Sequence, residues 1–164
     1  MTATERTLVL LKPDAVARGL VGRVIQRFED AGLKIIGTKM LVMDADLTRR
    51  HYADLEERFG PEVYAVTATF MQQGPVIALV LEGVEAVANV RRLVGVTFPN
   101  LAQVGTIRGD FAHTSKAFTE SQSKAAANLV HASGNVDEAK YEVELWFGPH
   151  ELIEYRTVAE QFTI

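Results

Sequence analysis

Cysteine is absent from the 164 residues, which excludes a disulfide framework, a thiolate metal site and a cysteine nucleophile, and suits a reducing compartment. No apolar stretch approaches membrane-spanning length, and the start of the chain, Met1 to Arg6, lacks a basic region followed by an apolar core. The expectation is a soluble, cytoplasmic protein with no membrane partner. Excess positive charge is missing as well: a formal net charge of −4 gives no general attraction to nucleic acid or anionic lipid. Nucleic acid is therefore an unlikely partner, and any phosphate binding must be local. Neither the P-loop pattern nor the dinucleotide glycine fingerprint occurs. No repeat or linker divides the chain, and an ordinary balance of 48% hydrophobic and 23% charged residues is that of a globular protein, so one domain spanning 1–164 is expected.

What is present is a succession of strand and helix signals. The apolar run Thr7 to Leu11 suits a central strand, stopped at Lys12-Pro13-Asp14, where Pro13 leaves Lys12 extended at the strand exit. Leu20, Val24, Ile25 and Phe28 recur at helical spacing across 20–31, with Gly32 as the terminating residue. Leu33 to Met43 reads as a second strand. Asp46 reads as the N-cap of a helix running through His51, Tyr52, Asp54 and Leu55. Pro61 opens another helix, Val76 to Leu81 is a buried strand, and 84–94 a helix carrying Arg91. Gly105 and Gly109 frame Thr106-Ile107-Arg108, which reads as a loop making a close approach. The stretch 112–127 reads as a loop with some helical turn. Leu129-Val130 forms a fourth strand ending near His131, and Asn135 with Glu138 has the spacing of a capping box for the last helix. Reduced to its main elements the order is β-α-β twice. The expected fold is therefore a ferredoxin-like α+β sandwich, a four-stranded antiparallel sheet with one face covered by helices.

His131 stands out because small residues, Ala132-Ser133-Gly134, follow it and leave it approachable. A neutral imidazole is a competent nucleophile, and a carboxylate such as Glu142 can hold its second nitrogen and fix the tautomer. Lys12, Arg91, Thr97 and Arg108 are each commonplace surface residues taken singly. Together beside His131 they make a polyphosphate clamp, which suits phosphoryl transfer. His51, His113 and His150 read as structural, with no carboxylate at a suggestive spacing and no second ligand close enough for a metal site.

The motifs Lys12-Pro13-Asp14, Arg18-Gly19-Leu20-Val21-Gly22, His51-Tyr52, Gly74-Pro75-Val76, 105–111 (GTIRGDF) and 128–133 (NLVHAS), taken in this order, closely resemble the nucleoside diphosphate kinases over nearly the whole length. The resemblance implies a double displacement, in which His131 takes the γ-phosphoryl group of a nucleoside triphosphate and returns it to a nucleoside diphosphate. It implies that Lys12 and Asn128 hold the ribose hydroxyl and a neighbouring phosphate, with Tyr52 nearby. Arg91, Thr97 and Arg108 would bind phosphates, and Glu142 with Ser133 would steady the imidazole. Mg2+ would arrive with the nucleotide and no protein metal cage is implied. The family also implies a homo-oligomer, hexamer or tetramer.

Two departures stand against the family pattern. Its Arg-Pro-Phe-Phe run is replaced by Arg58-Phe59-Gly60-Pro61-Glu62-Val63-Tyr64, leaving Phe59 as the candidate base-stacking ring and Tyr64 as the alternative. The loop between Phe111 and Asn128 is longer than usual. These departures motivate a rival reading, a catalytically silent nucleotide-binding regulatory module of the same fold.

Overall fold

The computed structural model describes residues 4–163. Met1 to Ala3, part of the N-terminal stretch read above, and Ile164, the end of the tail, lie outside the described residues. Strand β1 (Thr4–Leu11) leads into the short helix α1 (Pro13–Ala17), then α2 (Val21–Asp30) and β2 (Lys34–Val42). Helices α3 (Ala45–His51), α4 (Leu55–Phe59) and α5 (Pro61–Gln72) precede β3 (Pro75–Val84) and α6 (Ala86–Val94). The short helices α7 (Ile107–Phe111) and α8 (Lys116–Ser121) lead to β4 (Val130–Ala132), α9 (Val136–Trp146) and the terminal α10 (Glu160–Thr163). The strands form one sheet in the order β2-β3-β1-β4, antiparallel throughout, which is the ferredoxin-like arrangement.

Four consecutive side chains of β1, Leu8 to Leu11, are fully buried, and alternation along a strand sends them to opposite faces. Both faces therefore need cover, and both have it. Val9 and Leu11 pack with Val24 and Phe28 of α2 and Val90 of α6, whereas Leu8 and Leu10 pack with Met71 of α5 and Val143 and Trp146 of α9. The expectation of a single covered face is corrected on this point.

Local signals are displaced in four places. The N-cap of α3 is Asp44, not Asp46: its extended backbone lets the carboxylate accept the Leu47 N–H at 2.8 Å. The helix expected to run on to Leu55 stops at His51, where Tyr52 leaves helical backbone angles, and α4 starts afresh. Thr106-Ile107-Arg108 is the start of a helix rather than a loop, because the Thr106 hydroxyl accepts the Gly109 N–H at 3.1 Å and caps α7. At the start of α9, Asn135 accepts the Glu138 N–H, while the Glu138 carboxylate reaches the Gly134 N–H instead of completing a reciprocal box. No helix among the described residues is long and apolar enough to cross a membrane.

Candidate active site

His131 lies directly opposite Leu10 across the β1–β4 pair, and opposed residues on antiparallel strands project to the same face. That face is the one covered by α9. The buried side of α9 is Ala139, Glu142, Val143 and Trp146, a helical stripe with one charge set in it. Glu142 thereby meets the ring: His131 Nε2 lies 2.9 Å from Glu142 Oε1. Burial works to raise the Glu142 carboxyl, but the adjacent His131, His51 and the Ser133 hydroxyl outweigh it and hold the group below its ordinary value. An ionised carboxylate only accepts. Nε2 therefore carries the proton and Nδ1 presents a lone pair, with no hydrogen-bond partner among the described residues. The His131 side chain retains 22% exposure. Ser133 touches the carboxylate and not the imidazole: its Oγ donates to Glu142 Oε2 at 2.6 Å and accepts the Leu8 N–H at 3.2 Å.

The chain reaches β4 through a strained turn. Leu129 has φ +70°, and the Val130 N–H donates to the Asn128 carbonyl at 2.8 Å, closing a γ-turn around it. Such a conformation costs about 1–3 kcal/mol in a residue with a Cβ. Leu129 is held there by its fully buried side chain, by the Asp14 carboxylate accepting its N–H at 3.0 Å, and by its carbonyl accepting the Lys12 N–H at 2.8 Å. Asp14 thus has a part in the site that its place in a sequence motif did not indicate.

The same turn assembles the cations. Lys12 Nζ donates to Asn128 Oδ1 and the Ala126 carbonyl, both at 2.9 Å, and lies 4.7 Å from the centre of the Phe70 ring. Burial, reinforced by Arg108 and opposed by Asp14, lowers the Lys12 ammonium to about 8. Asn128 Nδ2 donates to the Thr97 carbonyl at 2.8 Å, leaving the exposed Thr97 side chain facing outward. Arg108 donates to the carbonyls of Asn128, Gly95 and Val130. Burial and the neighbouring Arg91 charge lower its guanidinium to about 10. Gly95 is required here: its φ is +90°, and a Cβ would lie 2.7 Å from the Thr106 hydroxyl. Arg91 is exposed and has no ion pair among the described residues. Lys12, Arg91, Thr97, Arg108 and Asn128 are thus brought together. Two neighbouring guanidiniums with an ammonium close by are an anion site, the Asp14 carboxylate offsetting only part of their charge.

Tyr52 joins from just past the end of α3, its ring 6.2 Å from that of His131; burial, with the Glu142 charge, pushes its hydroxyl above the usual phenol value. Phe59, at the end of α4, is 56% exposed, with the Arg58 guanidinium over its ring. Tyr64 has the Arg49 guanidinium against its face at 3.9 Å, which leaves Phe59 the more open ring.

His51, read from the sequence as structural, lies against the catalytic pair. Its ring lies 4.5 Å from that of His131, its Nδ1 is 3.8 Å from Glu142 Oε1, and Trp146 Nε1 donates to that Nδ1 at 3.2 Å. Burial, with the neighbouring His131 adding to it and Glu142 opposing, depresses the imidazole to about 3, so it is neutral. Its Nε2 is buried without a partner, an omission of about 1–3 kcal/mol. A signal existed: His51 falls four residues after Leu47 on the buried side of α3. One ligand atom from each of His51, His131 and Glu142 lies within 4.8 Å of the others, so the expectation that no second ligand lies near His51 is corrected. The His51 Nδ1 lone pair is already engaged by the indole N–H and His131 Nε2 bears a proton, so the cluster is a hydrogen-bonded unit, not an open cation cage. His113 and His150 are exposed and remote from this unit.

A family model described as nucleoside diphosphate kinase matches residues 5–152. The chain is 43% identical to the nucleoside diphosphate kinase of Pyrococcus horikoshii over 162 residues, 99% of this chain and 97% of that protein. It is 38% identical to human nucleoside diphosphate kinase A over 162 residues, 99% of this chain and 98% of that one. Among solved structures it is similar to a transition-state mimic of the Borrelia burgdorferi nucleoside-diphosphate kinase with bound vanadate and ADP. That likeness has a TM-score of 0.95 and 39% identity, and covers 98% of this chain and 96% of the other.

Proposed function

The chain belongs to the nucleoside diphosphate kinase family, and from that premise we propose how its residues move the γ-phosphoryl group of a nucleoside triphosphate to a nucleoside diphosphate. The observation that carries the assignment is the His131–Glu142 pair: an Nε2–H held by a buried carboxylate at 2.9 Å and an unpartnered Nδ1. Nδ1 attacks the γ-phosphorus, an N–P bond forms as the bond to the β–γ bridging oxygen breaks, and the diphosphate leaves with that oxygen. The ring becomes cationic as the bond forms, and Glu142 beside Nε2–H offsets the charge. A second diphosphate then takes the phosphoryl group by the reverse step. Ser133 orients Glu142. Lys12 and Asn128 hold the ribose hydroxyl and a phosphate, with Tyr52 beside them, while Arg91, Thr97 and Arg108 grip the phosphates and Phe59 carries the base. The test is intact-mass detection of one added phosphoryl group after mixing with nucleoside triphosphate, its assignment to a histidine by acid lability and to His131 by its loss in His131→Ala, and its discharge on adding a different diphosphate. Nucleotide binding with no phosphoenzyme would instead favour the silent regulatory module.

The donor set around the phosphate positions is cationic and fits an anionic chain that brings its own metal. Mg2+ carried by the nucleotide phosphates neutralises their charge when bound, with no protein cage. We also propose a single domain, a cytoplasmic location and a homo-oligomer, hexamer or tetramer. The oligomer is supported by β2, an edge strand whose first half is covered by Ile153 and Tyr155 hydrogen-bonding the Ile36 and Ile35 carbonyls but whose second half leaves Met40 59% and Val42 60% exposed; apolar side chains exposed along a sheet edge are a surface that copies cover.

Two predictions arise here. Lys12 is charged below about 8 in the free enzyme, so kcat/KM, which reports free-enzyme groups, falls as pH rises through that value. A pH profile of a Lys12→Met variant is expected to lack this descending limb; its survival would place the titrating group elsewhere. Phe59→Ala is expected to raise KM about 5- to 100-fold by removing stacking of about 1–3 kcal/mol. The rise should be similar for purine and pyrimidine nucleotides, since every base has a stacking face, and kcat should change little.

A further inference from the structure

We propose that Trp146 is a tautomer lock on His51: by donating its indole N–H to His51 Nδ1 it keeps the His51 proton on Nε2 and reserves Glu142 Oε1 for His131. The proposal rests on the reading of His131 as the nucleophile and deepens it. A neutral imidazole has one proton and two places to put it. On Nδ1 that proton would have Glu142 Oε1 3.8 Å away, a small side-chain shift from hydrogen-bonding distance, and a carboxylate oxygen is a strong acceptor. On Nε2 it has no partner at all. Left to itself, His51 would donate to Glu142. His131 would then share Oε1 with a second donor and lose part of the negative charge that offsets its own developing charge.

The indole reverses this preference. Trp Nε1–H can only donate, and at 3.2 Å from Nδ1 it requires a lone pair there. The arrangement has no slack: the His51 side chain is fully buried, Trp146 is 4% exposed, and His51 is packed edge-on against Tyr52, His131 and Trp146. The other Glu142 oxygen is occupied by Ser133, so Oε1 is the atom for which the two histidines would compete. A buried orphan N–H in a native protein calls for an explanation, and exclusion of His51 from Glu142 supplies one. Trp146 and His51 are positioning residues, since they act on His131 through Glu142.

The direct test is the 15N signature of His51 in the wild-type protein: a protonated Nε2 and an unprotonated Nδ1 are expected, and the opposite pattern overturns the lock. Trp146→Phe, which keeps an aromatic ring and deletes the N–H, is expected to move the proton to Nδ1 and slow phosphoenzyme formation about tenfold or more, with KM unchanged. Adding His51→Phe removes the competing donor, so the double variant should form phosphoenzyme faster than Trp146→Phe alone. A double variant as slow as or slower than the single one indicates a packing role only and defeats the proposal. Phosphoenzyme with the His51 proton on Nδ1 overturns the lock and spares the nucleophile; no phosphoenzyme with the proton on Nε2 removes the nucleophile and leaves the tautomer as stated.

Discussion

A His131→Ala protein is expected to lose phosphoryl exchange by at least about a thousandfold, the scale on which removal of a covalent nucleophile is felt, and to take up no acid-labile phosphate from nucleoside triphosphate. Nucleotide binding should survive, because Lys12 and Arg108 are positioned by the Leu129 turn and by backbone carbonyls, not by the imidazole. Exchange near the wild-type rate would end the assignment. The substitution also has a consequence for stability with a definite sign. Glu142 is held below its ordinary value in the folded protein although burial acts to raise it. A carboxyl lowered in this way contributes stability that is present above the unfolded value and is lost as pH falls through the folded one. Without the ring beside it, burial dominates and the group shifts upward. The variant should therefore be less stable than wild type at neutral pH, with the gap narrowing in mild acid, as denaturant unfolding at the two pH values would show.

The parts of this site that were legible in the sequence share one property, that local pattern carries them. His131 follows an apolar step and precedes small residues. Glu142 lies on the 139–143–146 stripe of a helix whose start Asn135 announces. Lys12 stands at a strand exit because Pro13 stops the strand. What escaped depends on pairings between distant elements. His51 and Trp146 are 95 positions apart, and only the packing of α3 against α9 brings the imidazole to the indole. Asp14 was visible as a motif residue, but its role needs the Leu129 N–H, which the positive φ of that residue turns toward it. The glycine-framed segment was read as a loop because Gly105 and Gly109 suggested one; the Thr106 hydroxyl tipped the balance to a helix by capping it. At Gly109 a side chain would collide with the Gln103 carbonyl, so the glycine permits close packing rather than flexibility. The second covered sheet face was implicit in four consecutive buried residues of β1, each pair of which needs its own layer.

Arg108→Ala is expected to damage stability and turnover together, and the reason lies in how its donors are divided. The guanidinium has five N–H groups, and the carbonyls of Asn128, Gly95 and Val130 engage it through Nε and both terminal nitrogens. Those carbonyls belong to the strained turn, the end of α6 and the start of β4. One side chain therefore ties together the three segments that present Asn128, Thr97 and His131. The remaining donors are left for phosphate oxygens, in company with Arg91. Alanine leaves the carbonyls without their charged donor, at about 1–3 kcal/mol for each that water does not reach, so a loss of about 2–4 kcal/mol in denaturant unfolding is expected. It also removes a guanidinium from the charge that gathers on the phosphoryl group in transit, an effect of about 10³- to 10⁵-fold on kcat by comparison with other arginine contacts to a transferring phosphoryl. The two losses separate with Arg108→Lys, which keeps a cation but not the planar fork. It should recover part of the catalytic loss and little of the stability. An alanine variant that unfolds earlier yet turns over normally while folded would show that Arg108 only braces the turn and that Arg91 holds the phosphates alone.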